Sequence, residues 1–312
     1  MTKNAILVLA YARPDFLNRR LQELSLLRGD EAEVIVSIDK YQGLEANEMS
    51  HKFELIRERF PEWRWIKNRK RFGLVKHLTT RVTEAFEEYE NLVIVEDDVS
   101  ISAPALSNLI SAVSSPEGKI YFTTGLFGAL TQPPIFQQIP NIWRRTSYFS
   151  AWGWAMNKNF WKLYDPKIVK NHGIEALSGR KSWERLNSYQ KSRWSFRFSR
   201  VESDPNYTWD YQMQYLTWLH DLENKLPLWR LSDNEGFGDY RATNTRAMRP
   251  TWYQGKKSNN DLRSDYVHNL RYLDSFMNIV DSYSWIGDRK LLERMRKKGI
   301  LERMRNIYER IT

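Results

Sequence analysis

The sequence predicts an α/β protein with a mixed, mostly parallel sheet flanked by helices. Along the first 125 residues, short apolar runs alternate with amphipathic stretches, as in strands joined by crossover helices. Polar residues follow several of these runs directly, and open α/β sheets bind ligands at that end of their strands. The length of 312 residues allows one large domain or two modest ones. We therefore expect a ligand site at one edge of the sheet.

The elements of this region follow from hydrophobic periodicity. Runs of apolar and β-branched residues predict strands at Ala5–Tyr11, Glu33–Ile38, Trp63–Ile66, Leu92–Val95 and Lys119–Thr124. Apolar residues at helical spacing predict helices at Pro14–Leu24, Met49–Phe60, Leu74–Tyr89 and Ala103–Val113. Pro14 suits a first helical turn because its missing amide proton is not needed there.

The second half of the chain has a different composition. Eleven of the 13 Trp residues lie between Trp143 and Trp285, and periodicity is weak from Gly125 to about Tyr283. These aromatic residues indicate a surface for flat ligands such as sugars, or simply core packing. The stretch Gly179–Asp204 predicts a mobile loop or an irregular insert. Periodicity returns in Ser284–Thr312, which we interpret as a basic amphipathic helical tail.

Composition excludes several classes of protein. The chain has no cysteine, so any metal site must use oxygen or imidazole ligands. The longest apolar run, Ala5–Ala12, is too short to span a membrane and reads better as a strand than as a signal peptide. The net charge of +10 favours anionic partners. We expect an intracellular, cytoplasmic protein.

The strongest local signal is the acidic sequence that follows the strand Leu92–Val95. Glu96, Asp97 and Asp98 would repel one another unless a cation lies between them. Carboxylate oxygens suit Mg²⁺ or Mn²⁺, which often bind through one or two carboxylates and the phosphates of a nucleotide. The alternative is a solvated acidic turn that caps the helix starting near Ala103.

Other polar residues converge on the same predicted edge. Arg13 follows the first strand, Asp39 ends the second, and Lys76 and His77 lie in the first turn of the helix after Gly73. Arg13 could pair with a phosphate, and Asp39 could accept a hydrogen bond from a base or ribose. Alternatively, Asp39 only caps a turn. For His77 alone, exposure to solvent is the favoured interpretation.

Several segments in order resemble a known family. They are Ala5–Pro14, Phe72-Gly73-Leu74, Val93–Val99, Ser150–Ala155 and Asn234-Glu235-Gly236-Phe237-Gly238. Together they are similar to bacterial glycosyltransferases of the GT-A fold, and in pattern to N-acetylglucosaminyltransferase I, whose strand-end motif is also Glu-Asp-Asp. The resemblance implies a nucleotide-sugar-binding half at residues 1–125, an acceptor-binding half at 126–283, and the tail at 284–312.

The resemblance also implies roles for individual residues. Asp98 would hold the metal that bridges the diphosphate, and Glu96 would lie near the sugar of the donor or act in catalysis. Asp97 would lie against the ribose or the metal shell. The residues implied to bind the donor nucleotide are Ala10, Arg13, Asp39, His77 and Asp97.

An inverting transfer needs a base that deprotonates the hydroxyl of the acceptor. Asp210 matches the Trp-Asp element at which the family places its base, and it follows Trp209, which could stack on a sugar. We prefer Asp210 to Glu96 and Asp239. The alternative is that Asp210 is the N-cap of the following helix, where the helix dipole would keep it ionised and weakly basic.

Two further tryptophans flank a glycine in Trp152-Gly153-Trp154. They predict a sugar or acceptor pocket in which the backbone approaches a ligand closely, with one Trp in the core and the other lining the pocket. The alternative is a buried strand that bends at Gly153.

The sequence thus predicts a metal-dependent, inverting glycosyltransferase that uses Mn²⁺ or Mg²⁺. Its partners would be a nucleotide-diphosphate sugar and a glycan or lipid-linked acceptor, as in bacterial surface polysaccharide synthesis. The tail carries a net charge of +5, so it would attach to the anionic inner face of the membrane or pack on the catalytic domain. A sugar-phosphate nucleotidyltransferase and a non-catalytic carbohydrate-binding protein are the alternatives. We expect no nucleic-acid partner, because no recognised binding module is present.

Overall fold

A computed structural model describes residues 3–27, 31–128 and 141–241, together with 262–263, 277–278 and 281. The predicted tail at 284–312 lies outside the described residues. Within the described ranges, no helix combines the length and apolar character needed to cross a membrane.

Helices and strands alternate through the first part of the chain and become less regular after it. The helices are α1 (Pro14–Leu24), α2 (Ala46–Arg59), α3 (Leu74–Glu88), α4 (Ala103–Ser114), α5 (Lys158–Trp161), α6 (Ile168–His172), α7 (Lys181–Glu184), α8 (Ser188–Ser203) and α9 (Asp210–Leu219). The strands are β1 (Asn4–Ala10), β2 (Glu33–Ile38), β3 (Arg64–Lys67), β4 (Asn91–Glu96), β5 (Val99–Ile101), β6 (Thr124–Gly125), β7 (Asn141–Thr146), β8 (Trp154–Asn157), β9 (Asn224–Pro227), β10 (Ser232–Asn234) and β11 (Leu262–Arg263).

The main sheet has the strand order β11-β7-β9-β6-β8-β4-β1-β2-β3. Strands β3, β2, β1 and β4 are mutually parallel, whereas β8 runs antiparallel to β4 and to β6. The chain proceeds outward from β1 to β3 and then returns to place β4 on the other side of β1. The carboxyl ends of β1 and β4 therefore form a topological switch point, where open α/β sheets bind ligands.

Alternate residues of β1 enter two hydrophobic cores on opposite faces of the sheet. Ala5, Leu7 and Leu9 belong to a core that includes residues of α3, α8 and α9. Ile6 and Val8 belong to another, which includes residues of α1, α2 and α4. Because successive strand residues point to opposite faces, a run buried on both faces has no polar positions. The predicted α/β class, a mixed sheet flanked by helices, is confirmed.

Two predictions for the loosely patterned regions are wrong. The stretch 179–204 is largely helical, because Trp183, Trp194 and Phe198 bury one side of α7 and α8. A strand at Lys119–Thr124 is reduced to Thr124–Gly125, preceded by a 3-10 turn at Glu117–Lys119. Ile120 is 70% exposed there, so the apolar run that predicted the strand does not lie wholly in the core.

The tryptophans of the second half mainly build the core. Those buried among the described residues are Trp143, Trp154, Trp161, Trp183, Trp194, Trp209, Trp218 and Trp229. Rings of this core meet edge to face or stacked, as with Trp194 and Trp218, whose centroids lie 5.0 Å apart. Core packing therefore accounts for most of the tryptophan surplus, and Trp152 is the partly exposed exception in the range 141–241.

A buried ion pair fastens a distant segment to the sheet. Arg144 in β7 donates to both carboxylate oxygens of Asp281, at 2.7 and 2.8 Å, and both side chains are fully buried. Thr146 also donates to Asp281, at 2.8 Å. A bidentate pair with an added donor offsets the desolvation that burying two charges costs. Residue 281 thereby contacts the edge region of the sheet.

Candidate functional site

A cavity of about 340 Å³ lies at the switch point, lined by residues from both halves of the chain. Each strand end contributes because the carboxyl ends of parallel β1, β2 and β4 meet at one edge. Ten of the residues singled out from the sequence line this cavity: Ala10, Arg13, Asp39, His77, Glu96, Asp97, Asp98, Trp152, Trp209 and Asp210. Gly153 and Trp154 do not.

Arg13 lies between two carboxylates of the acidic strand end. Its Nη1 donates to Asp98 Oδ2 at 2.8 Å, and its Nη2 donates to Asp97 Oδ1 at 2.5 Å. The backbone amide of Tyr11 donates to the other oxygen of Asp97 at 3.3 Å. Burial alone would lower the pKa of Arg13, but the two aspartates raise it overall. The guanidinium of Arg13 therefore supplies one of the positive charges that we expected between these acids.

One guanidinium does not neutralise three acids. Burial, followed by the charge of Asp98, raises the pKa of Glu96 to about 8, although Arg13 opposes the shift. Burial likewise raises the pKa of Asp97 to about 6, again against Arg13. Carboxyl groups with raised pKa values in a cavity are a frequent mark of functional sites. The acids therefore outnumber the one guanidinium between them, and a further positive charge would stabilise their ionised forms.

The chemistry of Asp98 fits a divalent ion. Asp98 Oδ1 is buried and accepts no hydrogen bond from the described residues. An unsatisfied buried carboxylate oxygen is costly, so it calls for a partner. No cluster of three or more acidic, His or Cys side chains in the described ranges is arranged to hold a metal. Mg²⁺ and Mn²⁺ often bind through one or two protein carboxylates and complete their shell with phosphate oxygens, and the free oxygen of Asp98 is a group of that chemistry.

The acidic residues do not cap the helix that follows them. Ser102 is the N-cap of α4, and its hydroxyl accepts from the amide of Ala105 at 3.4 Å. Strand β5 separates Asp98 from that cap. The alternative of an acidic capping turn is therefore wrong, because the chain supplies a serine at the position where a cap is needed.

Asp39 holds the loop between β3 and α3. Its Oδ1 accepts from Asn68 at 2.8 Å and from the amide of Phe72 at 2.9 Å, and its Oδ2 accepts from the amide of Gly73 at 2.9 Å. Gly73 has φ of +80°, which only glycine adopts readily. Asp39 therefore shapes the wall of the cavity as well as facing it, and its capacity to accept from a ligand is partly used.

His77 is buried rather than exposed to solvent, so the interpretation favoured for it is wrong. It is 6% exposed, and its Nε2 lies 2.8 Å from the Ser37 hydroxyl. Burial lowers the pKa of His77 to about 4, with Asp39 opposing and Arg81 adding to the shift. Helix α3 turns it inward because positions 77, 78 and 82 share the buried face. His77 is consequently neutral near pH 7.

Asp210 faces the acidic cluster across the cavity. It is the first residue of α9, and the preceding Trp209 occupies the N-cap position, so the N-cap alternative is wrong by one residue. Burial raises the pKa of Asp210, although a hydrogen bond from the Thr208 hydroxyl opposes the shift. The pKa of Asp210 is therefore raised overall, which makes its carboxylate a stronger base than that of an exposed aspartate.

The Trp-Gly-Trp segment divides between cavity and core. The Trp152 ring meets Phe127 at 4.4 Å and Phe237 at 5.7 Å, both edge to face, and forms an aromatic wall of the cavity. Trp154 is fully buried in β8 and stacks on Trp209 at 5.5 Å. Trp154 is therefore core, because alternate positions of β8 face opposite sides of the sheet. Trp154 therefore does not line the cavity, and the predicted division into one core and one cavity tryptophan agrees with the structure.

Gly153 does not line the cavity. It allows a backbone bend that a residue with a side chain would not adopt readily. Its φ is +80°, and a Cβ atom there would lie 2.7 Å from Ile101 Cδ1. Its carbonyl accepts from the amide of Leu126 at 2.8 Å. The bend at Gly153 directs Trp152 to the cavity and Trp154 to the core.

The Asn-Glu-Gly-Phe segment adjoins the acidic strand end. Strand β10 pairs with β5, and the amide of Glu235 donates to the carbonyl of Asp98 at 2.7 Å. The buried Arg20 of α1 donates to Glu235 at 3.2 Å and to the carbonyl of Val99 at 3.3 Å. These bonds fix the backbone around Asp98 from both sides.

Sequence reasoning missed several residues that line the cavity. Tyr11 and Arg71 face each other, with the Arg71 guanidinium 5.1 Å from the ring centroid. Arg241 also lines it, and donates to Asp15 at 2.6 Å and to Asp239 at 2.7 Å. Arg71 ends the basic run Arg69-Lys70-Arg71 just before Phe72-Gly73, a signal that could have marked it. Arg241 has no comparable signal in the sequence.

No protein-family model matches the chain, and no curated protein does. Among solved structures, it is similar to a mannosyltransferase of Pyrobaculum calidifontis in complex with GDP-Man and Mn²⁺, at 13% identity over 70% of each chain and a TM-score of 0.40. It is similar to GalNAc-T7 with UDP, GalNAc and Mn²⁺, at 10% identity, 72% of this chain, 42% of that one and a TM-score of 0.42.

A further similar structure is glucosyl-3-phosphoglycerate synthase of Mycobacterium tuberculosis in complex with Mn²⁺, UDP and glucosyl-3-phosphoglycerate. The identity is 11%, over 52% of this chain and 58% of that one, with a TM-score of 0.35. At this level the likenesses carry no argument about the site, whose chemistry rests on its own geometry.

Proposed function

We propose that the protein is a metal-dependent, inverting glycosyltransferase that moves a sugar from a nucleotide-diphosphate sugar to a glycan or lipid-linked acceptor. One observation carries the proposal. A cavity at the switch point is lined by three carboxylates and a guanidinium from the first half of the chain, and by aromatic rings and the half-buried Asp210, whose pKa is raised, from the second half. The first group of residues suits a diphosphate with a divalent ion, and the second suits a sugar hydroxyl and its base.

The donor would lie along the ends of β1, β2 and β4. Arg13 and Arg71 offer guanidinium groups for phosphate oxygens, which such groups bind in a fixed fork. Ala10 places the backbone of β1 at the cavity without a bulky side chain. Neutral His77 supports Ser37 of β2 and presents no charge to the ligand. Glu96 and Asp97 would lie near the sugar and the ribose.

Asp98 Oδ1 would hold Mn²⁺ or Mg²⁺. When bound, the ion would supply positive charge against the negative charge that develops on the leaving diphosphate. Arg13, already between Asp97 and Asp98, would keep those carboxylates in place. Glu235 and Arg20 hold the backbone on which Asp98 sits.

Asp210 would act as the base. Its carboxylate would accept the proton of an acceptor hydroxyl as that oxygen bonds to the anomeric carbon, and the bond from that carbon to the diphosphate oxygen would break. The nucleoside diphosphate leaves, and the configuration at the anomeric carbon inverts. A raised pKa strengthens the base, which general-base catalysis rewards. Thr208 orients the carboxylate, and Trp152 offers an apolar face to the sugar.

Carbohydrate binding without catalysis is the second candidate, because the aromatic cavity wall of Trp152 and Phe237 would suit it. Binding alone does not require the three acids or the raised pKa of Asp210. Metal-dependent hydrolysis of a nucleotide sugar would separate the two candidates.

For the tail at 284–312, we infer from composition a peripheral attachment to an anionic membrane surface. Flotation of full-length and tail-deleted protein with anionic liposomes tests it. The full-length protein should float and the deleted form should not, and equal flotation would refute the attachment.

A thermal-shift screen of nucleotide sugars, each with and without Mn²⁺, tests the proposed function. A donor at 100 times its Kd should stabilise the folded state by about 2.7 kcal/mol. We expect the shift for one class of nucleotide sugar, and only with Mn²⁺. In the Asp98→Asn variant, adding Mn²⁺ should no longer produce a shift with the nucleotide sugar. If no nucleotide sugar shifts the wild type, the proposal fails.

A further inference from the structure

Helix α8 presents a basic stripe beside the cavity. Arg193, Arg197 and Arg200 follow one another at spacings of four and three residues, so they share one face of the helix. Phe196, 61% exposed, lies on the same face. The neighbouring face of α8 is fixed in the core by Trp194 and other buried side chains. The stripe is therefore held in one orientation.

Two of the three guanidinium groups of the stripe, those of Arg197 and Arg200, lie over aromatic rings. Arg197 lies 4.7 Å from the Trp194 ring centroid and 5.5 Å from that of Tyr211. Arg200 lies 4.1 Å from the Tyr207 ring centroid. Such stacking holds a guanidinium by its face. The Arg197 side chain also forms a hydrogen bond with Tyr211, and the remaining N–H groups of the planar fork lie at its edge.

No direct salt bridge joins these arginines to a carboxylate in the part of the chain that the structure describes, although the charges of Arg197 and Asp210 interact at longer range. Arg193, Arg197 and Arg200 form no ion pair with any described carboxylate, whereas Arg13, Arg20 and Arg241 each form at least one. The basic stripe, with Tyr207 and Tyr211, is thus a patch of net positive charge, three arginines facing the single carboxylate of Asp210, on a rigid aromatic base. An anion is the ligand that this patch complements.

The patch is continuous with the proposed catalytic side of the cavity. Tyr207 and Tyr211 flank Thr208 and Asp210, which line the cavity. Arg197 lies close enough to Asp210 that its charge lowers the pKa of that carboxyl against the effect of burial. A ligand on the patch would therefore extend towards the base.

We propose that this basic stripe, with Tyr207 and Tyr211, binds the acceptor, and that the acceptor is an anionic saccharide. The inference rests on the proposed function. The saccharide carries a carboxylate or a phosphate ester, which Arg197 and Arg200 bind by their edges, while its rings lie against Tyr207 and Tyr211. Its attacking hydroxyl then reaches Asp210. A uronic acid and a sugar phosphate offer the same oxyanion chemistry, so the test compares both.

The test measures binding of matched saccharides to the full chain by saturation-transfer NMR, in the presence of Mn²⁺ and UDP or GDP. The pairs are trigalacturonate against galactotriose, and glucose 6-phosphate against glucose. Wild type should bind at least one anionic member about tenfold more tightly than its neutral partner. The pair that shows the preference identifies the source of the oxyanion.

Variants locate the preference. Arg197→Gln and Arg200→Gln should each reduce it several-fold, and the double variant should abolish it. Arg197→Lys should retain part of it, because the charge remains and the planar fork does not. Arg185→Gln, at an exposed arginine just before α8, should keep it in full. Thermal unfolding of each variant verifies that it folds.

Two results overturn the inference: equal or undetectable binding of both members of each pair by wild type, or a preference that survives in the double variant. Failure of the proposed function has a different signature. In that case no nucleotide sugar stabilises the wild type with Mn²⁺, whatever the saccharides do. A donor that binds, together with acceptors that show no charge preference, would refute the anionic acceptor alone.

Discussion

The two halves of the chain reach the cavity by different means. In residues 4–114, the cavity residues are polar groups that follow buried aliphatic strands, as Arg13 follows β1 and Glu96 ends β4. In residues 141–241, the cavity residues adjoin an aromatic core. Trp209 stacks on the buried Trp154, and Asp210 is the next residue in the chain. The first half thus places its site residues at the ends of aliphatic strands, whereas the second half places them next to buried aromatic rings.

The largest expected effect tests the second half. Asp210→Asn should lower kcat by about 10²- to 10⁴-fold, because the amide cannot take a proton from the acceptor. Donor affinity and the melting temperature should change little. Steady-state kinetics with the donor found in the thermal-shift screen measure the rate. Asp204→Asn, at an exposed aspartate, is the matched control. A variant that transfers sugar at the wild-type rate would remove Asp210 from the base position.

Next in size is a difference between two neighbouring tryptophans. Trp154→Ala should lower the free energy of unfolding by about 3–5 kcal/mol, because it empties a fully buried site. Trp152→Ala should lower the free energy of unfolding by only about 1 kcal/mol, since the Trp152 ring is partly exposed at the cavity wall. Its main effect should be a lower rate of sugar transfer. Chemical denaturation of both variants measures the costs. Equal costs would show that the bend at Gly153 does not divide core from cavity.

The buried histidine of the first half predicts a dependence of stability on pH. His77 is neutral near pH 7 in the folded protein, because burial lowers its pKa from the ordinary 6.5 to about 4. The unfolded chain therefore takes up a proton between these values and the folded chain does not. Stability should be unaffected by His77 above pH 6.5, and should fall by at most about 3 kcal/mol as the pH falls to 4.

The variant His77→Gln removes this contribution, so its stability should fall less steeply between pH 6.5 and 4 than that of wild type. His51→Gln, at an exposed histidine of α2, is the matched control and should follow wild type. Urea denaturation at a series of pH values measures the slopes. Parallel curves for wild type and His77→Gln would show that His77 takes up its proton as readily when folded.

The smallest effect concerns the cap of α4. Ser102→Ala should destabilise the protein by about 1 kcal/mol, because the amide of Ala105 loses its acceptor. Ser102→Thr should recover most of that loss. The measurement is again the free energy of unfolding in denaturant. A Ser102→Ala variant as stable as wild type would indicate that another group, such as the acidic strand end, caps the helix.

Strand positions in the first half were predictable, because a strand buried on both faces leaves an uninterrupted apolar run. The predicted second strand, Glu33–Ile38, agrees with β2, and the helix predicted from Leu74 agrees with α3 to within one residue at its end. The acids that end β4 were found for the same reason. The strand pattern predicts that a side chain lies at the sheet edge. It does not predict which residues that side chain contacts there.

The rest depended on contacts between distant residues. Helix α8 is stabilised by aromatic rings from α7 and α9, as Trp194 and Trp218 show, so its own periodicity is weak. The burial of His77 depends on Ser37, 40 positions away. Arg241 reaches the cavity through Asp15 at the start of α1. No local pattern encodes these pairs, and only folding brings them together.

The central claim is that Asp98 and its neighbours bind a nucleotide-diphosphate sugar with a divalent ion. Release of the nucleoside diphosphate from the donor, followed with and without Mn²⁺ for wild type and Asp98→Asn, tests it most directly. We predict release by wild type that requires Mn²⁺ and falls at least about 10²-fold in Asp98→Asn. Equal release by the two proteins, or release that continues at the same rate when Mn²⁺ is chelated, would contradict the claim.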